Sequence, residues 1–185
     1  MALSLGSDAM VVKTAQKYIG YLEHLSIDLL GLFRENTGKG GCTIFAYLIN
    51  RAYRWRNFSG LPWCATFVHA VFIESLGKKK ARKLLGKPHP GTRVLYRRFK
   101  RRGKLTSQPN EGDIIFLTNG SGEVNHCGIV VCVEDDRIIT IEGNTTDPSG
   151  VFAEHEGGAV AQRVRELTDP KIICYGNLLE YVKRR

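Results

Sequence analysis

The feature that most constrains this chain is a change of period near Pro109. Before it, apolar residues recur at helical spacing. After it, short Ile- and Val-rich runs are bounded by Gly, Asn and Asp. Helices followed by an antiparallel sheet make an α+β pattern. Met10, Val11, Ala15, Tyr18, Ile19, Leu22 and Leu25 predict a helix from residue 7 to about 32, capped by Ser7 or Asp8. A loop marked by Gly38, Gly40 and Gly41 leads to a second helix over 43–53. The run WCATFVHAVFIESL predicts a third, largely buried helix over 63–76, with Gly77 as its stop signal. Shorter helical pieces are expected near 81–85 and 92–101, parted by KPHPG. Strands are expected at 113–117, 127–134, 137–142, 158–167 and 172–175, with Asp135 and Asp136 linking a hairpin.

The 185 residues suit one domain spanning 1–185, able to bury a core without disulfide or metal staples. The formal charge of +9 is unevenly spread. Thirteen of the 27 Lys and Arg lie between Lys78 and Lys104 with no acid among them, so the remaining 14 face 18 acidic residues. This reads as a basic helical insertion at about 78–104 that seeks a polyanion, or as a solvated cationic surface. Arg97, Arg98, Arg101 and Arg102 are its candidate wall- or polyanion-binding residues.

The five cysteines, at 42, 64, 127, 132 and 174, are odd in number and irregularly spaced. They predict no disulfide framework, and most read as small core hydrophobes. No zinc-type C-x-x-C pair and no EF-hand loop occurs, so neither a metal nor a cofactor is expected. No apolar run is long enough to span a bilayer, and MALSLGSDAM lacks the cationic start and apolar core of a secretory signal.

Cys64 opens the third helix, directly after Gly60-Leu61-Pro62-Trp63. A helix N-terminus carries partial positive charge and unpaired N–H groups, which favour thiolate and can hold an oxyanion. Position alone also fits a buried helical cysteine. His126 sits at the mouth of a strand after a polar loop, where an imidazole can serve as base and then acid. Among the other histidines, His69 is turned away from Cys64 by its spacing, and His89 lies in a Pro-rich turn. Glu142 and Asn144, two apart on an extended segment, are expected on one side, facing His126. They equally fit a strand-end Glu and a turn Asn.

The run GLPWCATFVHAVF, then EGDIIFL, then NHCGIVVCVEDDRIITIEGNT resembles the CHAP family of cysteine, histidine-dependent amidohydrolases/peptidases. The resemblance covers about Tyr18 to the end, and YIGYLEH and ICYGN are similar to segments of single-domain phage lysins of that group. It implies a papain-like fold and peptidoglycan hydrolysis. In that resemblance Cys64 is the nucleophile, His126 the base, Glu142 its orienting carboxylate and Asn144 a supporting polar group, with Trp63 and Asn125 as substrate-binding neighbours. The acidic N-terminal loop with which some members bind calcium is not evident.

The bond favoured by resemblance is the N-acetylmuramoyl-L-alanine amide, and the alternative is a stem or cross-bridge peptide bond. The implied partners are bacterial peptidoglycan and anionic wall polymers, with no dedicated nucleic-acid partner. The chain is expected to be a monomer, made in a bacterial cytoplasm without a signal peptide and active on the wall after release. Two readings of other classes stay open. One is a nucleic-acid module using the basic residues with Tyr96 and Phe99. The other is a cysteine hydrolase toxin acting on proteins.

Overall fold

The structure is a computed structural model that describes residues 5–35, 37–38, 40–54, 56–146 and 157–178. Helices α1 (Leu5–Gln16), α2 (Ile44–Ala52), α3 (Cys64–Leu85) and α4 (Thr92–Arg101) come first. Strands β1 (Leu105–Thr106), β2 (Ile114–Thr118), β3 (Val124–Val133), β4 (Arg137–Thr145), β5 (Ala159–Glu166) and β6 (Ile172–Gly176) follow. They form one sheet in the order β1-β6-β2-β3-β4-β5, and every pairing is antiparallel. The α+β reading holds.

The helical layer lies on one face of the sheet, with α3 against β3 and β4, and α1 and α2 against α3. Strand alternation explains how β4 serves two faces. Ile139 and Ile141 join the main core and Gly143 abuts Phe67 and Trp63, whereas Ile138 joins a smaller cluster with Ile115, Leu117, Val130 and Tyr175. Thr140 and Glu142 share the register of Ile138. An aromatic cluster anchors the entry to α3. Phe45 stacks on Trp63 at 5.6 Å between ring centroids and meets Tyr21 and Phe67 edge-on at 5.0 and 5.1 Å.

Two expectations need correction. The helix expected over 7–32 ends at Gln16. Gly20 turns the chain with φ 85°, and the next residues run as an extended strap along β5. Gly20 N donates to Val160 O, Glu23 N to Gly158 O and Val160 N to Tyr21 O. Tyr21 and Leu22 are therefore buried by a strand-like segment whose spacing mimics a helix, Leu25 is exposed, and Ile27–Leu32 forms only a short 3-10 helix. The third helix does stop at Gly77, as expected: that residue takes φ 77° and ψ 155°, breaks the helical path, and a separate helical stretch runs on to Leu85. Finally, β3 starts at Val124 rather than 127, and β4 runs on to Thr145.

Ala81, Leu85, Leu95 and Phe99 from the basic region lie in the same core as α1–α3. Among the described residues no helix is long and apolar enough to cross a membrane.

Candidate active site

Cys64 is the first residue of α3. Phe67 N is bonded to Trp63 O, so the N–H groups of Cys64, Ala65 and Thr66 precede the first intrahelical bond. The thiol is buried at the floor of a cleft of about 410 Å³. Pro62, His89, Gly91, Thr92, Arg93 and Asn125 are among the residues around it.

His126 and Cys127 face this region from β3, beside the register shift where Leu117 pairs with His126 and Thr118 with Val124. His126 keeps 23% of its side chain exposed, while Glu142 is wholly buried. His126 Nε2 lies 2.9 Å from Glu142 Oε2, which leaves Nδ1 as the ring nitrogen free for the sulfur.

Glu142 has no vacant acceptor direction. Its Oε1 accepts from Thr140 Oγ1 at 2.7 Å and Arg165 Nε at 2.9 Å. Its Oε2 accepts from His126 and from Arg165 Nη2 at 3.0 Å. Arg165 in turn donates to Asp169 Oδ2 at 3.2 Å. Gly128, paired next to His126 on β3, makes room for this arrangement: a Cβ there would stand 2.5 Å from Glu142 Cγ.

The electrostatics follow from these contacts. Burial opposes ionisation of Glu142, but hydrogen bonds and charge from His126 and Arg165 overcome it and hold the carboxyl at about 2. Burial likewise opposes a charged His126. Hydrogen bonds and charges of Cys64 and Glu142 outweigh it and raise the imidazolium to about 10. For Cys64, a hydrogen bond from Cys127 works against burial, and His126 and Thr92 add to it, bringing the thiol well below its ordinary value. Both shifts favour the form in which a Cys64 thiolate lies beside a His126 imidazolium.

Not every residue singled out from sequence is brought here. Cys64, His126, Glu142 and Asn125 lie together. Trp63 is 1% exposed, and its indole N–H donates to Glu23 Oε2 at 2.7 Å. It is a core side chain and cannot face a substrate in the cleft, because its aromatic mass packs on Phe45. Asn144 does not continue the alternation from Glu142. It sits at φ 58° in a bulge between Gly143 and Thr145, and among the described residues it makes no hydrogen bond to His126. The bulge invalidates the two-residue rule that placed both side chains together.

On α4, Arg98 donates to Leu85 O at 3.3 Å and to Lys87 O, and Arg102 donates to Leu84 O at 2.7 Å. Both cap the end of α3, with Arg98 half-buried and Arg102 exposed, whereas the exposed Arg97 and Arg101 make no such bond among the described residues. His69 is buried on α3, with desolvation and the charges of Arg98 and His89 pushing it down to about 3. His155 lies outside the described residues. Among the described residues no cluster of three or more His, Cys, Asp or Glu could hold a metal.

Sequence reading missed Arg165 and Thr92. The need for Arg165 was implicit, since a buried carboxylate demands a cation, and β5 offers one in the strand beside β4. Thr92 carries no such signal, being a lone hydroxyl within a run of bases.

Comparison with known proteins agrees with this geometry. No curated protein is matched. A solved structure titled "The crystal structure of Ly7917" is similar at 18% identity and TM-score 0.31. That match covers 44% of this chain and 34% of the other, so the chain aligns with about a third of that protein's length. The CHAP domain family matches residues 34–144, well over half of the chain and a span that includes Cys64, His126 and Glu142. The chain belongs to the CHAP family of papain-like cysteine, histidine-dependent amidohydrolases/peptidases.

Proposed function

We propose that this protein hydrolyses an amide bond of bacterial peptidoglycan, with Cys64 as nucleophile, His126 as acid and base, and Glu142 as the group that orients His126. The observation that carries the reading is the buried Glu142 carboxylate bonded at 2.9 Å to the histidine that shares a proton with Cys64. The thiolate attacks the carbonyl carbon, and the Cys64 backbone N–H at the helix start stabilises the oxyanion. His126 protonates the departing amine. It then takes a proton from water, which hydrolyses the thioester. Asn125, at the rim of the cleft, contacts the substrate.

The bond favoured is the amide between the muramyl lactyl group and L-alanine. The endopeptidase alternative needs the same machinery. Exposed Arg97 and Arg101 supply attraction to anionic wall polymers, while Arg98 and Arg102 also hold the end of α3. Action on the wall from within a lysing cell, in the manner of an endolysin, fits a chain of this family.

The test is mass spectrometry of purified peptidoglycan digested by the protein beside folded Cys64→Ala. Free stem peptides released only with the intact cysteine are the expected result, and cuts within the stem or bridge would assign the endopeptidase. Equal product from Cys64→Ala would sink the mechanism.

A further inference from the structure

The sulfur of Cys64 has a neighbour that the mechanism above leaves unused. Thr92 Oγ1 lies 3.1 Å from Cys64 Sγ and 3.8 Å from Cys127 Sγ, and all three side chains are buried. We propose that Thr92 is a positioning residue for the nucleophile, its O–H donating to the Cys64 thiolate beside the Cys127 S–H, which donates to the same sulfur. Two neutral donors then converge on the reacting sulfur. The inference rests on Cys64 being the reactive cysteine.

The direction of the Thr92 bond follows from donor and acceptor counts. A hydroxyl has one proton and two lone pairs, whereas a thiolate can only accept. Beside a thiolate, the Thr92 proton therefore points at Cys64. Burial, together with the closeness of Cys64, pushes the Cys127 thiol well up, so it keeps its proton where Cys64 has lost its own. One cysteine is thus held as the anion and the other as the donor. Hydrogen bonds to an ionised acceptor are the stronger kind.

The fold gives Thr92 little freedom to leave this position. It is the first residue of α4, which Leu95 and Phe99 fasten into the core. The turn ahead of it is closed by Gly91 N donating to His89 Nδ1 at 2.9 Å. A β-branched side chain at a helix start has few rotamers, so its hydroxyl is presented at a fixed point. The basic stretch that reads as a polyanion-binding insertion therefore also supplies a wall and a donor to the site.

Other groups that bear on the same sulfur are His126 and, behind it, Glu142 from the sheet. Arg56, His89 and Arg93 stand around the cleft, and His69 lies deeper on α3. None of them changes when the Thr92 hydroxyl is deleted.

The experiment is the pH dependence of iodoacetamide alkylation at Cys64, followed as the mass of the peptide that carries it. Thr92→Val, close in shape but without the hydroxyl, is expected to raise the alkylation midpoint by about one pH unit, tenfold in the thiolate equilibrium. Thr92→Ser should restore the native midpoint. An unchanged midpoint in folded Thr92→Val overturns the proposal. Should Thr92→Val not fold, Thr92→Ala decides: a raised midpoint supports the proposal and a native one overturns it. No wall substrate is involved, so a failure of the hydrolysis reading leaves this result intact. Native Cys64 alkylating no faster than Cys42 would instead remove Cys64 as the nucleophile.

Discussion

Arg165 on β5 and Arg97 on α4 are the same side chain on regular elements of one small protein, in opposite settings. Arg165 is 13% exposed and clamps the wholly buried Glu142 with two bonds of 2.9 and 3.0 Å, with Asp169 on its other nitrogen. Arg97 is exposed in a stretch without an acid. Around the catalytic pair opposite charges alternate in the series Cys64, His126, Glu142, Arg165 and Asp169. On α4 Arg93 pairs with Glu123, but Arg97, Lys100 and Arg101 are exposed close to one another and face solvent or an external anion. Burial forces pairing because an unpaired ion in a low-dielectric interior is costly, while water removes that demand at the surface. A cation count over the chain cannot separate these two uses.

Substituting Arg165 should break the comparison most sharply. Arg165→Met leaves a carboxylate buried without its main partner, and breaking such a pair costs about 3–5 kcal/mol. Urea unfolding measures it. Glu142 is held at about 2 against an ordinary 4.5. Its stabilisation is therefore full above 4.5 and lost as pH falls toward 2. The gap between native protein and Arg165→Met should be largest near neutrality and close in strong acid. A gap that does not change with pH would mean that Arg165 acts by packing alone.

Gly128→Ala keeps every charge and disturbs only their placement. The added Cβ would press on Glu142 Cγ. The expected stability cost is about 1–3 kcal/mol. Turnover should fall by about a hundredfold, because His126 loses its alignment. A folded Gly128→Ala protein with native turnover would show that the Glu142 position tolerates more freedom than the four bonds suggest.

The smallest effects belong to α4 and its C-cap Arg102, where they sort Arg97, Arg98, Arg101 and Arg102. Arg98→Gln and Arg102→Gln remove bonds to the end of α3 and should each cost about 1 kcal/mol. Arg97→Gln with Arg101→Gln should change stability by less than about 0.5 kcal/mol. That pair should weaken binding to anionic wall polymers at low salt in a pull-down with purified walls. Equal stability losses from both pairs would erase the distinction drawn between them.

Much of the architecture was legible because it follows from local pattern. The buried helix after Cys64, the hairpin about Asp135 and Asp136, and the Ile- and Val-rich strands are short-range consequences of residue spacing. The strap after Gly20 was not legible, because its apolar spacing suits a helix and only pairing with β5 makes it extended. The Asn144 bulge was hidden for a similar reason, since alternation assumes a regular ladder. Trp63 looked accessible beside Cys64, but its ring lies on the core side of the helix start.

By itself the sequence determined the α+β class, the family, and the chemical identities of Cys64, His126 and Glu142, since these rest on residue type and local spacing. Only the tertiary structure decided who neutralises whom. Arg165 reaches Glu142 across 23 positions, and Thr92 reaches Cys64 across 28. Burial sets the demand for those partners, and burial exists only once the sheet and helices have closed on one another.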